Sequence, residues 1–198
     1  MFGFKTRAQT LREKIVEVAL PGDVVIVGCD GLISKGIRMF QTAKDNEKAE
    51  CNHIAMYVGD GKIHEALIGG YIEQDIVKYL GKNSWFKIAR LKSLNDRQRD
   101  LLLARSKRLV DRKTKYAVGD IFLQAIDSLF ETNLFTRWFA SRSKMLCSQA
   151  YAMCIMPWHS MFDGQTWVCV SPDNISDEVR DHPDVWEVIV EVKRGVIC

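Results

Sequence analysis

Three side chains have the types needed for nucleophilic acyl chemistry: His53, Glu65 and Cys147. His53 and Glu65 stand on the two arms of NHIAMYVGDGKIHEA (residues 52–66). This stretch alternates polar and apolar residues around a glycine-bracketed turn, which predicts a β-hairpin. A two-residue loop at Asp60-Gly61 would set Gly59 against Lys62 and throw His53 and Glu65 to opposite faces. A three-residue loop, Gly59-Asp60-Gly61, takes Gly61 as its left-handed residue and sets Ala55 against Glu65. His53, Ala55, Tyr57, Ile63, Glu65 and Leu67 then share a face, and His64 looks away. We expect this second arrangement. It makes His53 and Glu65 diagonal neighbours, roughly 7–8 Å apart at the backbone. A carboxylate at that reach orients an imidazole tautomer and favours the protonated ring.

Cys147 is the candidate nucleophile. SRSKMLCSQAYAMCIM passes from basic, polar residues into an apolar helical run at this position. A thiol in the first turn of a helix sees the positive end of the macrodipole and unpaired backbone N–H groups. Both lower its pKa, and an adjacent imidazolium lowers it further. The same N–H groups can hold the oxyanion of a tetrahedral intermediate. Cys154, two turns deeper on the same face, belongs in the core, and Cys29, Cys51, Cys169 and Cys198 have no comparable context. Cys51, His53 and His64 can be imagined as metal ligands. With the two histidines on opposite faces and no fourth ligand at a recognisable spacing, we expect neither metal nor cofactor.

Several elements must position these groups. Residues 5–19 have the spacing of an amphipathic helix, broken by Pro21-Gly22, and DVVIVG is a short buried strand. GLISKGIRMFQTA predicts a helix before the hairpin. YIEQDIVKYL and WFKIARL predict two strands after it. From Asn95 the period changes: NDRQRDLLLARSKRLVDRK and AVGDIFLQAIDSLF read as helices, followed by the helix that begins near Cys147. SPDNISDEVRDHP reads as a loop with a brief helical turn, and VWEVIVEV as a closing strand. Strands first, helices later and a last strand predict an α+β fold rather than a βαβ repeat. With no repeat, low-complexity tract or linker, residues 1–198 read as a single domain. It comprises an N-terminal helix (5–19), a sheet (22–91), a helical insertion (95–144), the nucleophile helix (145–158) and the closing strand (185–192).

The bulk numbers set wide bounds. With 47% hydrophobic residues in 198, the chain can build a core without disulfide staples, so its six cysteines read as reduced thiols. A net charge of +3 requires no nucleic acid, and none is expected as a partner. The basic run from Arg97 to Lys115 reads first as a solvated helix face and second as a contact for an anionic surface. The N-terminus lacks the apolar core of a signal peptide, and no stretch approaches the ~18 apolar residues of a spanning helix. The expected place is the cytoplasm of the cell that makes it.

PGDVVIVG, GLISKGIRMFQ, NHIAMYVGDGKIHEA, LCSQAY and SPDNISD together resemble the circularly permuted papain-like cysteine hydrolases of the YaeF and YiiX group. These are relatives of NlpC-type cell-wall peptidases and of lecithin:retinol acyltransferase-like enzymes. The order histidine, third residue, cysteine is that of the permuted members. The resemblance implies a papain-like fold with Cys147, His53 and Glu65 as its triad, with His64 competing for the third place. It implies a peptide, amide or acyl-ester substrate and a thioester intermediate. Tyr116, Ser148 and Ser34 become candidate substrate contacts. It also implies a bacterial or phage setting, with peripheral membrane or virion association. A cell-wall substrate would need a route out of the cytoplasm, such as carriage in a phage particle. The alternative is a papain-like module without turnover, serving structure or interaction.

Overall fold

The structure, a computed structural model, describes residues 6–29, 51–80, 84–117, 132, 134, 144–159, 166–193 and 196–197. The segment GLISKGIRMFQTA with Ser34, and most of AVGDIFLQAIDSLF, lie outside these residues. The described fold is mixed α+β: a large antiparallel sheet with helices on both faces.

Helix α1 (Arg7–Val18) starts at a capping box between Thr6 and Gln9 and buries Leu11 and Ile15 against the sheet. The chain then turns through Pro21-Gly22 into β1 (Val24–Cys29). Strand β1 pairs with β2 (His53–Gly59) on one side and with β5 (Ser84–Leu91) on the other. Being central and covered above and below, it has Val24, Val25, Ile26 and Val27 all fully buried. This explains a continuous β-branched run where an alternating pattern would mark a one-sided sheet. Strands β3 (Lys62–Leu67) and β4 (Gly70–Asp75) extend the sheet beyond β2. On the far side, β8 (Trp186–Lys193) pairs with β5, and the two-residue β9 (Val196–Ile197) closes the edge. The sheet order is β4-β3-β2-β1-β5-β8-β9. A separate short parallel pair joins β6 (Lys115–Tyr116) to β7 (Lys144–Met145).

The sheet separates two apolar clusters. Val25, Val27, Ala55, Tyr57, Ile63, Phe86 and Ile88 pack with Leu11 and Ile15 of α1. Val24, Ile26, Ile54, Met56, Ala66 and Leu91 pack beneath α2 (Asp96–Asp111), α3 (Cys147–Ile155) and α4 (Pro172–Asp181).

Two sequence expectations are corrected. YIEQDIVKYL is not one strand: β4 stops at Asp75, whose side chain accepts from the Val77 N–H and starts a 3-10 turn over Ile76–Tyr79. SPDNISDEVRDHP is not a loop with a brief turn but contains the ten-residue helix α4. Its capping box joins Ser171 to Asn174, Pro172 fits the first turn, and Ile175 and Val179 face the core one turn apart.

The second residue of the DVVIVG stretch pattern is preceded by a buried acid that ties these parts together. Asp23 is fully buried and accepts from Arg90 Nη2 (2.8 Å), Arg90 Nε (3.1 Å), Arg99 Nη1 (3.2 Å) and the Leu20 N–H (2.8 Å). One carboxylate thus fastens the exit of α1, the start of β1, strand β5 and helix α2. Breaking such a group by Asp23→Ala leaves two guanidinium groups without their counter-charge. We expect a loss of about 3–5 kcal/mol, read as a lower urea midpoint. A midpoint matching the unmodified protein would contradict this role.

Candidate functional site

The hairpin reaches the expected facing by a different turn. Asp60 (φ 51°) and Gly61 (φ 72°) both have positive φ, as the primed two-residue hairpin turns require, and Gly59 sits opposite Lys62. The three-residue loop is therefore corrected. A β-bulge between Tyr57 and Gly59 absorbs one residue and resets the register to Tyr57 opposite Ile63 and Ala55 opposite Glu65. The bulge therefore puts His53 and Glu65 on one face.

They touch there. His53 Nε2 lies 2.7 Å from Glu65 Oε2, with Glu65 fully buried and the His53 side chain 13% exposed. The carboxylate has two further donors that the sequence reading missed. Lys78 Nζ donates to Oε1, and the Tyr79 hydroxyl donates to Oε2. Both come from the 3-10 turn, which folds the chain after β4 back over the hairpin. The Tyr79 ring also lies 5.9 Å from the His53 ring, and the Lys78 ammonium lies 4.8 Å above the Tyr79 ring. The signal available in the sequence was Asp75, a turn-initiating cap inside an apparent strand. Burial alone would raise the Glu65 carboxyl, but the hydrogen bond and charge of His53, then Lys78 and Tyr79, prevail and hold it at about 2.

Cys147 opens α3, with Leu146 at the N-cap. Leucine offers no side-chain acceptor there, so the first-turn N–H groups are not consumed by a cap. Gln149 reaches back to accept from the Leu146 N–H (2.8 Å) and donates to the Val168 carbonyl (2.7 Å), fixing the helix start. His53 and the backbone N–H groups of Ile54 and Ser148 act on the sulfur and favour its ionised form. With Nε2 of His53 engaged by Glu65, Nδ1 is the nitrogen left for the sulfur. Burial opposes ionisation of Cys147. The charge and hydrogen bond of His53 and the two N–H groups outweigh it and lower the thiol pKa. Burial likewise pulls His53 down, but the thiolate and then Glu65 push it to about 9. Both shifts favour a thiolate beside an imidazolium.

The remaining candidates fall in different places. Tyr116, in β6, is beside β7 and feels the charge of Cys147. Burial first and that charge second push its phenol up, so it stays an O–H donor. Ser148 is fully buried and its hydroxyl donates to the Val170 carbonyl (2.7 Å), leaving only its N–H for the site. His64, the competitor for the third place, is on the other face of the hairpin. Its Nδ1 lies 2.8 Å from Ser106 Oγ and its Nε2 3.3 Å from Glu73, and burial lowers its pKa. Burial pushes the Cys154 thiol up to about 12, and burial with the Asp173 charge pushes Cys51 well up, so neither is a nucleophile. Among the described residues, no three His, Cys, Asp or Glu side chains are grouped to hold a metal ion.

No family model matches this chain, and no curated protein matches it.

Proposed function

We propose that the chain is a cysteine hydrolase of permuted papain-like architecture, acting on an amide or ester acyl group through Cys147, His53 and Glu65. The observation that supports this reading is the Glu65 carboxylate 2.7 Å from the His53 ring, which in turn lowers the pKa of the Cys147 thiol. The Cys147 thiolate attacks the carbonyl carbon. N–H groups at the start of α3, assisted by the Tyr116 O–H, stabilise the oxyanion. The His53 imidazolium gives its proton to the leaving amine or alcohol as the carbonyl–heteroatom bond breaks, and a thioester remains on Cys147. The now neutral His53 takes a proton from water, whose oxygen attacks the thioester. The acid departs and the thiolate–imidazolium pair is restored. Glu65 does not take a proton: at about 2 its pKa is too low, and it holds the ring in place.

Intact-protein mass spectrometry after exposure to peptide, lipid-ester and cell-wall substrates tests this reading. An acyl adduct that maps to Cys147 and decays with time is expected from at least one class. Persistent absence of any adduct, with a matching absence of product, would leave the fold a silent module.

A further inference from the structure

The catalytic end of the sheet carries a surface that the hydrolytic reaction does not require. Strands β2 and β3 are antiparallel, with Ala55 opposite Glu65, so β3 ends at Leu67 at the same edge of the sheet where His53 begins β2. Ile68 follows in the turn to β4, and its side is 67% exposed, the most open of the large apolar residues described. This turn rests on the segment after α2. The Tyr71 N–H donates to the Thr114 carbonyl (2.8 Å). Gly70 (φ 121°) comes so close that a Cβ there would stand 3.0 Å from the same oxygen.

Thr114 lies between Lys113 and Lys115, both exposed. In the β6–β7 pair Lys115 is the register partner of Lys144, also exposed, and Cys147 follows three residues later. The turn that carries an exposed isoleucine thus rests on a segment with two exposed lysines, and that segment pairs with a third, on the way to Tyr116 and to the nucleophile. No acidic residue occurs in 68–71, 112–116 or 144–147, and Asp111 just outside is bonded to Lys107. Elsewhere in the basic helix Arg99 is bound to Asp23 and Arg105 lies over the Trp158 ring, while Arg97, Lys107, Arg108 and Arg112 are exposed.

We propose that this rim, formed by Ile68, Lys113, Lys115 and Lys144, docks the protein on the surface of an anionic phospholipid bilayer. The lysines match the negative headgroups, while Ile68 gains by entering the acyl boundary. A nucleic acid backbone would use the lysines but leave the isoleucine in water. The docking needs no nucleophile and stands apart from the hydrolase reading, although it would bring the mouth of the site to the lipid–water boundary.

Vesicle co-sedimentation of the full chain tests it, using phosphatidylcholine alone and phosphatidylcholine mixed with phosphatidylglycerol. Retention on the mixed vesicles that weakens as salt rises is expected, with little on the neutral ones. Each of Lys113→Gln, Lys115→Gln and Lys144→Gln lowers affinity by about fivefold, and Ile68→Ser lowers it with little change in salt dependence. Cys147→Ala binds like the unmodified protein. Equal retention on neutral vesicles, no retention at low salt, or variants that bind unchanged would overturn the proposal. So would salt-sensitive binding of duplex DNA that persists where vesicle binding fails.

Discussion

Replacement of Cys147 by serine lowers turnover of a p-nitrophenyl ester by at least about 10⁴-fold. The exchange keeps the side chain's shape, and Cys147 is only 4% exposed, so the core around the start of α3 changes little. What disappears is the ionised nucleophile. His53 and the N–H groups of Ile54 and Ser148 can lower a thiol into the working range, but a hydroxyl starts several pK units too high. The variant also reports on the ring, because the Cys147 charge is the largest of the effects that raise His53 above its ordinary value. In Cys147→Ser the imidazole therefore titrates lower than about 9, a shift that NMR of the ring protons reads directly. Full turnover in this variant would end the hydrolase reading, because burial pushes the Cys51 and Cys154 thiols up.

Glu65→Gln has the second large effect, on the order of 10²–10⁴-fold in turnover. Gln keeps the volume and some hydrogen bonding but removes the charge that His53, Lys78 and Tyr79 share. An amide can present its NH₂ to Nε2 as readily as its oxygen, which favours the wrong tautomer or turns the ring off the sulfur. The pH profile separates loss of orientation from loss of fold. In the unmodified protein the alkaline limb falls near 9, where His53 loses the proton it must give to the leaving group. In Glu65→Gln that limb moves down, since a contributor to the raised pKa is gone. Stability follows the same linkage. The raised pKa of His53 contributes stability that is full below about 6.5 and is lost as pH rises through about 9. The depressed pKa of Glu65 contributes stability that is full above about 4.3 and is lost as pH falls towards about 2. Both contributions are complete only between those two unfolded values, so the His53 and Glu65 ionisations together stabilise the fold most in mildly acid solution. Glu65→Gln flattens this dependence. A variant with unchanged turnover and an unmoved alkaline limb would show that Glu65 does not orient His53.

The elements with a strong period were readable without coordinates. The spacing of Leu11 and Ile15 marked α1, the β-branched run marked β1, and the charged periodic stretch after Asn95 marked α2. Helix α4 was hidden by its polarity: only Ile175, Val179 and Pro172 among its apolar residues reach the core, and the Ser171 cap is the clearer sign. The 3-10 turn was hidden for the opposite reason, because Ile76 and Tyr79 are buried and read as strand continuing past Asp75. That difference carried into the site. His53, Glu65 and Cys147 announce themselves by residue type, and the topology of a hairpin and a helix start is enough to bring them together. Lys78 and Tyr79 depend on the exact path of a four-residue turn. The Ile54 N–H belongs to the backbone and has no signature in the sequence at all. The hairpin shows how narrow the margin was, since the right facing came from a bulge at Val58 rather than from the length of the loop.

The central claim is that Cys147 and His53 exist as a charged pair held by Glu65, and the most direct measurement is the titration of that thiolate. Absorbance of the thiolate near 240 nm, followed with pH and corrected with the Cys147→Ser protein, isolates this one sulfur. The account predicts ionisation well below the free-thiol value of about 8.5, returning towards or above that value in His53→Ala, where burial is left less opposed. A Cys147 that ionises only at about 8.5 or higher in the unmodified protein, with no response to His53→Ala, would contradict it.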